Sequence, residues 1–253
     1  MTECRPIRQG EEEEFLSVLC GVFDLDTDRA RIVFYNEPFF DLDRKWGLFE
    51  AGKMVSILTT TPLEFGWGPA VGIAGVATLP EARSKGLAGR LVDECLRAAG
   101  EPALLFAERT RVYERAGFKV LDEVVRCDIQ VQEDQQETDV LATTEVHDLY
   151  AAWAEQDIDR LRRDERRWRY WEWVSRPCEP FSGGYICHEA MLCREAIVYG
   201  SHDSWPVMPG SQWVGLRTMV ARANVPAGPP LHELWLMGRD VPRVPQMFMT
   251  DQF

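Results

Sequence analysis

Apolar residues change their spacing along this chain, and the changes mark its elements. From Val71 to Thr78 small and β-branched residues run without a charge, as in a strand buried on both faces, and Pro80 ends the run by removing a ladder donor. Leu87, Leu91, Val92, Cys95 and Leu96 then recur at three- and four-residue intervals, which predicts a helix from about Gly86 to Gly100 with one apolar face. Upstream, the pattern predicts a strand at Cys4 to Arg8 and a helix from Glu11 to Phe23 with Phe15, Leu16, Leu19 and Phe23 inward. Lys45 to Glu50 and Lys53 to Phe65 form a hairpin around Ala51-Gly52, where glycine supplies the positive φ of the turn. Asp24 to Asp43 is polar and aromatic. Ala103 to Ala107 reads as a strand, Thr110 to Ala116 as a short helix closed by Gly117, and Glu123 to Val131 as another strand.

The polar stretch Gln132 to Asp139 reads as a linker, which divides the chain into residues 1–131 and 140–253. Beyond it, Val146 to Ala154 and Asp159 to Val174 read as helices, and Gly184 to Cys187 with Leu192 to Tyr199 as a sheet fragment. Arginine and aromatic residues alternate from Arg166 to Trp173, but acidic Asp164, Glu165 and Glu172 beside them favour a packed helix over a nucleic-acid surface.

With 45% hydrophobic and 27% charged residues the chain can bury a real core. No apolar run approaches the roughly 20 residues a membrane helix needs, and the opening MTECRPIRQGEEEE is acidic where a signal peptide is basic, so a cytoplasmic protein without a membrane partner is expected. A net charge of −13 argues against nucleic acid and suits a cationic small molecule. The seven cysteines are odd in number and lack a CxxC pair, so most read as small buried hydrophobes. Cys178, Cys187, His188 and Cys193 match no zinc spacing, and no metal is expected.

The junction of the Val71 strand and the following helix carries the chemistry. Arg83-Ser84-Lys85-Gly86-Leu87-Ala88 has the form R-x-x-G-x-A, in which successive backbone N–H groups at a helix start can turn toward one pyrophosphate. Neither a Walker loop nor a Rossmann turn is present. Downstream stands Val112-Tyr113-Glu114-Arg115-Ala116-Gly117-Phe118. With both segments in this order, the chain resembles the GNAT superfamily of N-acetyltransferases. The segments Gly47-Leu48-Phe49-Glu50, Phe65-Gly66-Trp67-Gly68-Pro69, Val76 to Pro80 and Met247 to Phe253 further resemble the enhanced-intracellular-survival (Eis) branch. Members of that branch carry two tandem acetyltransferase folds and a sterol-carrier-like domain, for which 253 residues are too few.

The resemblance implies an α/β (α+β) fold, a mixed and mostly antiparallel twisted sheet flanked by helices. Residues 1–131 would bind the acyl-coenzyme A, and 140–253 would be a degenerate second copy with a C-terminal tail. It implies acetyl-CoA as cosubstrate and acetyl transfer to a primary amine of a small acceptor, polycationic like an aminoglycoside or polyamine, by direct attack in a ternary complex. Coenzyme contacts are expected from Val76, Ala77, Thr78, Arg83, Ser84, Lys85, Gly86, Leu87, Ala88, Gly89 and Glu108. Tyr113 is the implied general acid, since a phenol of pKa ~10 stays protonated at neutral pH and can donate to a nascent thiolate. The first half contains no histidine, His147 being the earliest. By resemblance the base is the C-terminal carboxylate of Phe253, with Glu108 through a water as the alternative. Acceptor-wall candidates are Phe34, Tyr35, Phe39 and Phe40, together with Trp205, Trp213 and Trp235. A homo-oligomer is compatible with this reading, and a catalytically silent acyl-CoA sensor and a protein-lysine acetyltransferase remain the alternative functions.

Overall fold

The computed structural model describes residues 2–132, 139–173 and 176–253. Strand β1 (Thr2–Pro6) leads into helices α1 (Glu12–Phe23) and α2 (Thr27–Asn36), followed by β2 (Lys45–Glu50), β3 (Lys53–Phe65) and β4 (Gly68–Thr78). Next come α3 (Leu87–Ala99), β5 (Ala103–Ala107), α4 (Arg111–Glu114) and β6 (Lys119–Asp128). The second half supplies α5 (Thr143–Glu155), β7 (Leu161–Arg162), α6 (Glu165–Trp173) and β8 (Cys178–Phe181). It closes with β9 (Gly184–Glu189), β10 (Leu192–Ile197), β11 (Gln212–Leu216), α7 (Arg217–Arg222) and β12 (Leu231–Arg239).

Most elements of the first half form where the pattern predicts. Phe23, expected inward on α1, is instead 47% exposed, because it stands at the helix end beyond the face packed on the sheet, and β6 starts earlier and ends earlier than the expected Glu123 to Val131. Ala51 and Gly52 both take positive φ, 51° and 83°, so the hairpin of β2 and β3 turns through the I′ geometry that matches strand twist. Successive residues of these strands serve opposite faces. Leu48, Leu58 and Ile73 pack with Leu87, Leu91 and Cys95 of α3, while Phe49, Met54 and Ile57 pack with Phe15, Leu16 and Val18 of α1. Arg5 grips Glu11 with two hydrogen bonds of 2.7 and 2.8 Å and ties the end of β1 to the start of α1. Helix α2 breaks the polar segment expected at Asp24 to Asp43; the Asp26 carboxylate caps it by accepting from Arg29 N at 2.8 Å.

One sheet of twelve strands runs through both halves, in the order β1-β2-β3-β4-β5-β12-β6-β11-β10-β9-β8, with β7 pairing to β3. Strand β12 lies antiparallel between β5 and β6, with Trp235 opposite Ala107 and Leu236 opposite Asp122. A strand from beyond residue 140 therefore completes the sheet of the first half. Residues 133–138 of the expected linker lie outside the described residues. The helix expected from Asp159 to Val174 is shorter: β7 pairs with Glu64 and Phe65 of β3 before α6 begins, and Val174 lies outside the described residues. All seven cysteines are free thiols, and only Cys4 is not fully buried. Among the described residues no helix is long and apolar enough to cross a membrane.

Candidate active site

Two neighbouring strands part in the middle of the sheet. Strands β4 and β5 are parallel and pair only at Val71–Ala103, Gly72–Leu104 and Ile73–Leu105. Beyond Ile73 a bulge sets in: Leu58 of β3 faces both Gly75 and Val76, and Gly75 takes φ +59°. The bulge turns residues 75–78 away from β5 and leaves that edge of β4 without a strand partner. Val76, Ala77 and Thr78, which the resemblance named as coenzyme contacts, lie along this edge.

On the α3 face a groove of about 640 Å³ follows, lined by Thr78, Arg83, Ser84 and residues 86–90. Ser84 and Gly86 hold positive φ, 64° and 75°, which turns the loop so that α3 starts at Gly86 without a side-chain cap and without an acid in its first turn. The first N–H groups of a thirteen-residue helix thus face the groove, where a pyrophosphate fits their dipole. Arg83 donates to the Thr78 carbonyl at 3.1 Å and is held at the rim. Arg90, Arg97 and Arg115 add positive charge, and Asp93 and Glu94 stand among them. Lys85 is not a lining residue; it pairs with Glu50 at 3.5 Å. Val76 packs against the α3 cluster, and Ala77 is buried on the α1 face.

Tyr113 sits half-buried in α4 against that same cluster, its ring edge-on to Phe118 with centroids 6.2 Å apart. Burial raises its pKa above the usual 10.0 and keeps the phenol protonated across the neutral range. Glu108 is exposed just past the end of β5 and does not line the groove.

The opposite face carries a second cavity, about 570 Å³, bounded by α1, α2, the Ala74-Gly75 bulge, Tyr170 and Phe253. Phe34 and Phe39 line it, and Lys45, paired with Glu37, is buried at its wall. Tyr35 and Phe40 instead stack around Phe34 from outside. Trp205 and Trp213 do not belong to this wall: both are fully buried in the core of the second half, edge-to-face with each other and with Phe248 beside Trp213. Trp235 lies on β12 against His232. Large rings that can fill a core usually do so, which is why these tryptophans were poor markers of a pocket.

Phe253 closes the cavity at the parted strands. Its ring lies so close over Gly72 that a Cβ built there would meet it at 2.5 Å, and it packs on Phe106 of β5 with centroids 5.4 Å apart. The tail reaches this point because a buried charge network pins it. Arg163 donates to Asp251 at 2.6 and 2.9 Å, to Glu195 at 2.6 and 3.0 Å and to Thr250 at 3.1 Å, with the three charged side chains fully excluded from solvent. Arg167 adds a second buried cation, bonding the Pro62 carbonyl at 2.6 Å and the Asp251 carbonyl at 3.4 Å. Burial alone would raise the Glu195 carboxyl; Arg163 outweighs it and holds the group below the usual carboxylate range. Tyr170 completes the grip by donating to the Gln252 carbonyl at 3.0 Å. The Arg-aromatic run is thus the packed helix expected, and its partner is the chain's last residues.

Several residues escaped the sequence reading. Arg90 and Arg97 stand four and eleven positions after Gly86, close to one stripe of α3, so their helical spacing was a usable signal. Gly72 and Gly75 had no motif around them, and Arg163 had no local feature that named Glu195 and Asp251 as partners.

Residues 3–121 match the family described as "Acetyltransferase (GNAT) domain". An uncharacterized N-acetyltransferase of Streptomyces griseus is 27% identical over 241 residues, an alignment spanning 80% of this chain and 56% of that protein; the chain spans little more than half of its relative. A GCN5-related N-acetyltransferase from Kribbella flavida superposes with a TM-score of 0.70 at 15% identity, covering 94% of this chain and 71% of its own. Eis1 from Mycobacterium abscessus superposes with a TM-score of 0.57 at 16% identity, covering 93% and 73%. At such identities the two structures establish the shared fold, a mixed and mostly antiparallel sheet flanked by helices.

Proposed function

We propose, on the premise that residues 3–121 form an acetyltransferase (GNAT) domain, that this protein is an acetyl-CoA-dependent N-acetyltransferase that acts on the primary amine of a small molecule. The observation that carries the reading is the opening between β4 and β5, which has a groove at the start of α3 on one face of the sheet and a mainly apolar cavity on the other. A thioester held through the groove would present its carbonyl at the opening, where an amine from the cavity side could attack it directly.

The chain's own groups divide the work. The first N–H groups of α3 and the arginines of the groove hold the pyrophosphate. A backbone N–H on the unpaired edge of residues 75–78 donates to the oxygen that gains negative charge as the N–C bond forms. The attacking nitrogen would lose its proton beside Phe253, whose ring lies over Gly72 at the parted strands. Tyr113 gives its proton to the sulfur as the C–S bond breaks, and its raised pKa keeps that proton available. The polycationic acceptor that the net charge favoured finds no support in the cavity, whose walls are mainly apolar.

The test is turnover with an amine panel, read as free thiol released, next to calorimetric titration with acetyl-CoA. Wild-type protein should bind the coenzyme and release thiol. Tyr113→Phe should keep the affinity and lose on the order of a hundredfold in kcat. Coenzyme binding with no thiol release from any amine would point to a silent acyl-CoA sensor, and absence of coenzyme binding would overturn the reading altogether.

A further inference from the structure

We infer that the acceptor is a monoamine carried on an apolar body, an arylalkyl or alkyl amine, and not a polyamine or an aminoglycoside. The inference deepens the transferase reading and rests on it for the reaction, but the binding it describes can be measured separately. A cavity of about 570 Å³ is ample for such a molecule. Phe15, Leu19, Val33, Phe34, Phe39 and Phe253 give it ring faces and aliphatic edges, which match an apolar body by area removed from water.

Charge in the cavity points the same way. Lys45 is only 3% exposed, its ammonium lies 5.1 Å from the centroid of the Phe34 ring, and its partner is Glu37. That carboxylate is already engaged, so an ammonium entering beside Lys45 would meet a fixed cation. Asp26 is likewise committed to capping α2, and Arg29 beside it adds another cation. Asp24 and Asp26 are both exposed and stand at the rim. A polyamine or aminoglycoside must bury several charges at once, each needing a partner. A monoamine has one nitrogen, which must be neutral to attack, and an apolar wall favours the neutral form by penalising the ammonium. The same desolvation that excludes a polycation therefore prepares a monoamine for reaction.

The experiment titrates 2-phenylethylamine, octylamine, spermidine and kanamycin into protein saturated with coenzyme A, by calorimetry, and assays the same amines with acetyl-CoA for thiol release. The expected result is at least tenfold tighter binding of the two apolar amines than of spermidine or kanamycin, with kcat/KM in the same order. Val33→Asp places a carboxylate in the wall at a position 46% exposed, where folding tolerates it. This variant should weaken 2-phenylethylamine binding tenfold or more and narrow the gap to spermidine, with the melting temperature confirming an intact fold. Preferred binding and acetylation of spermidine or kanamycin would overturn the inference and leave the transferase reading in place. Tight binding of the apolar amines without thiol release would uphold the assignment of the cavity and sink the transferase reading. Heat from none of the four amines would overturn the inference.

Discussion

Gly72 shows how one missing side chain shapes the centre of this molecule. Its face of β4 is covered by the Phe253 ring, and a methyl group there would stand 2.5 Å from ring carbons. Gly72→Ala must therefore push Phe253 away from the parted strands. The coenzyme groove lies on the other face, so acetyl-CoA affinity should stay within twofold while kcat falls tenfold or more. Overpacking of this kind destabilises by roughly 1–3 kcal/mol, and a Phe253→Ala change in the same chain should recover the melting temperature by emptying the space. An unchanged kcat in Gly72→Ala would show that the position of residue 253 does not matter to catalysis. Tyr113 works by the opposite principle: burial against α3 makes its proton harder to lose, so its contribution should persist to the alkaline end of any pH–rate profile.

At the scale of elements, what could be read from the sequence was local. The α3 helix, its glycine start and the R-x-x-G-x-A loop announced themselves through spacing, because helix period and turn chemistry are written in consecutive residues. Helix α2 was missed: Asp26 is an ordinary N-cap, but its only fully buried residue is Phe34, so no apolar stripe declares it. The β4 bulge was beyond reach for a different reason, since one extra residue shows only against the register of β3. The joint between β1 and α1 yields a measurable consequence. Arg5, through its hydrogen bonds, lowers the Glu11 pKa from 4.5 to about 2. A carboxyl depressed on folding stabilises fully above its unfolded pKa, and that contribution is lost as pH falls from 4.5 toward 2. Glu11→Gln should therefore have a lower urea midpoint at pH 7, a shallower decline across that window, and parity with wild type near pH 2. A constant difference at every pH would rule out this ion pair as the source.

For the molecule as a whole, the decisive fact is long-range. The Arg163 network joins positions 163, 195 and 251, and β12 pairs residues in the 230s with β5 and β6. Neither leaves a local trace, and the sheet runs through both halves of the chain. Buried pairs of this kind are strongly destabilising to break one partner at a time, about 3–5 kcal/mol, because an uncompensated charge is left behind. With β12 between two strands of the first half, neither half can lose its order alone. Scanning calorimetry should show one cooperative transition whose calorimetric and van't Hoff enthalpies agree, and coenzyme should shift all of it upward. Two resolved peaks, only one of them moved by coenzyme, would contradict that coupling.

The same strand insertion governs how the protein must be born. While a ribosome is still making residues 129–230, the segments that become β5 and β6 have no β12 to pair with. Unpaired strand segments invite pairing with any passing chain, so the nascent protein is exposed to misassembly until β12 slides into place.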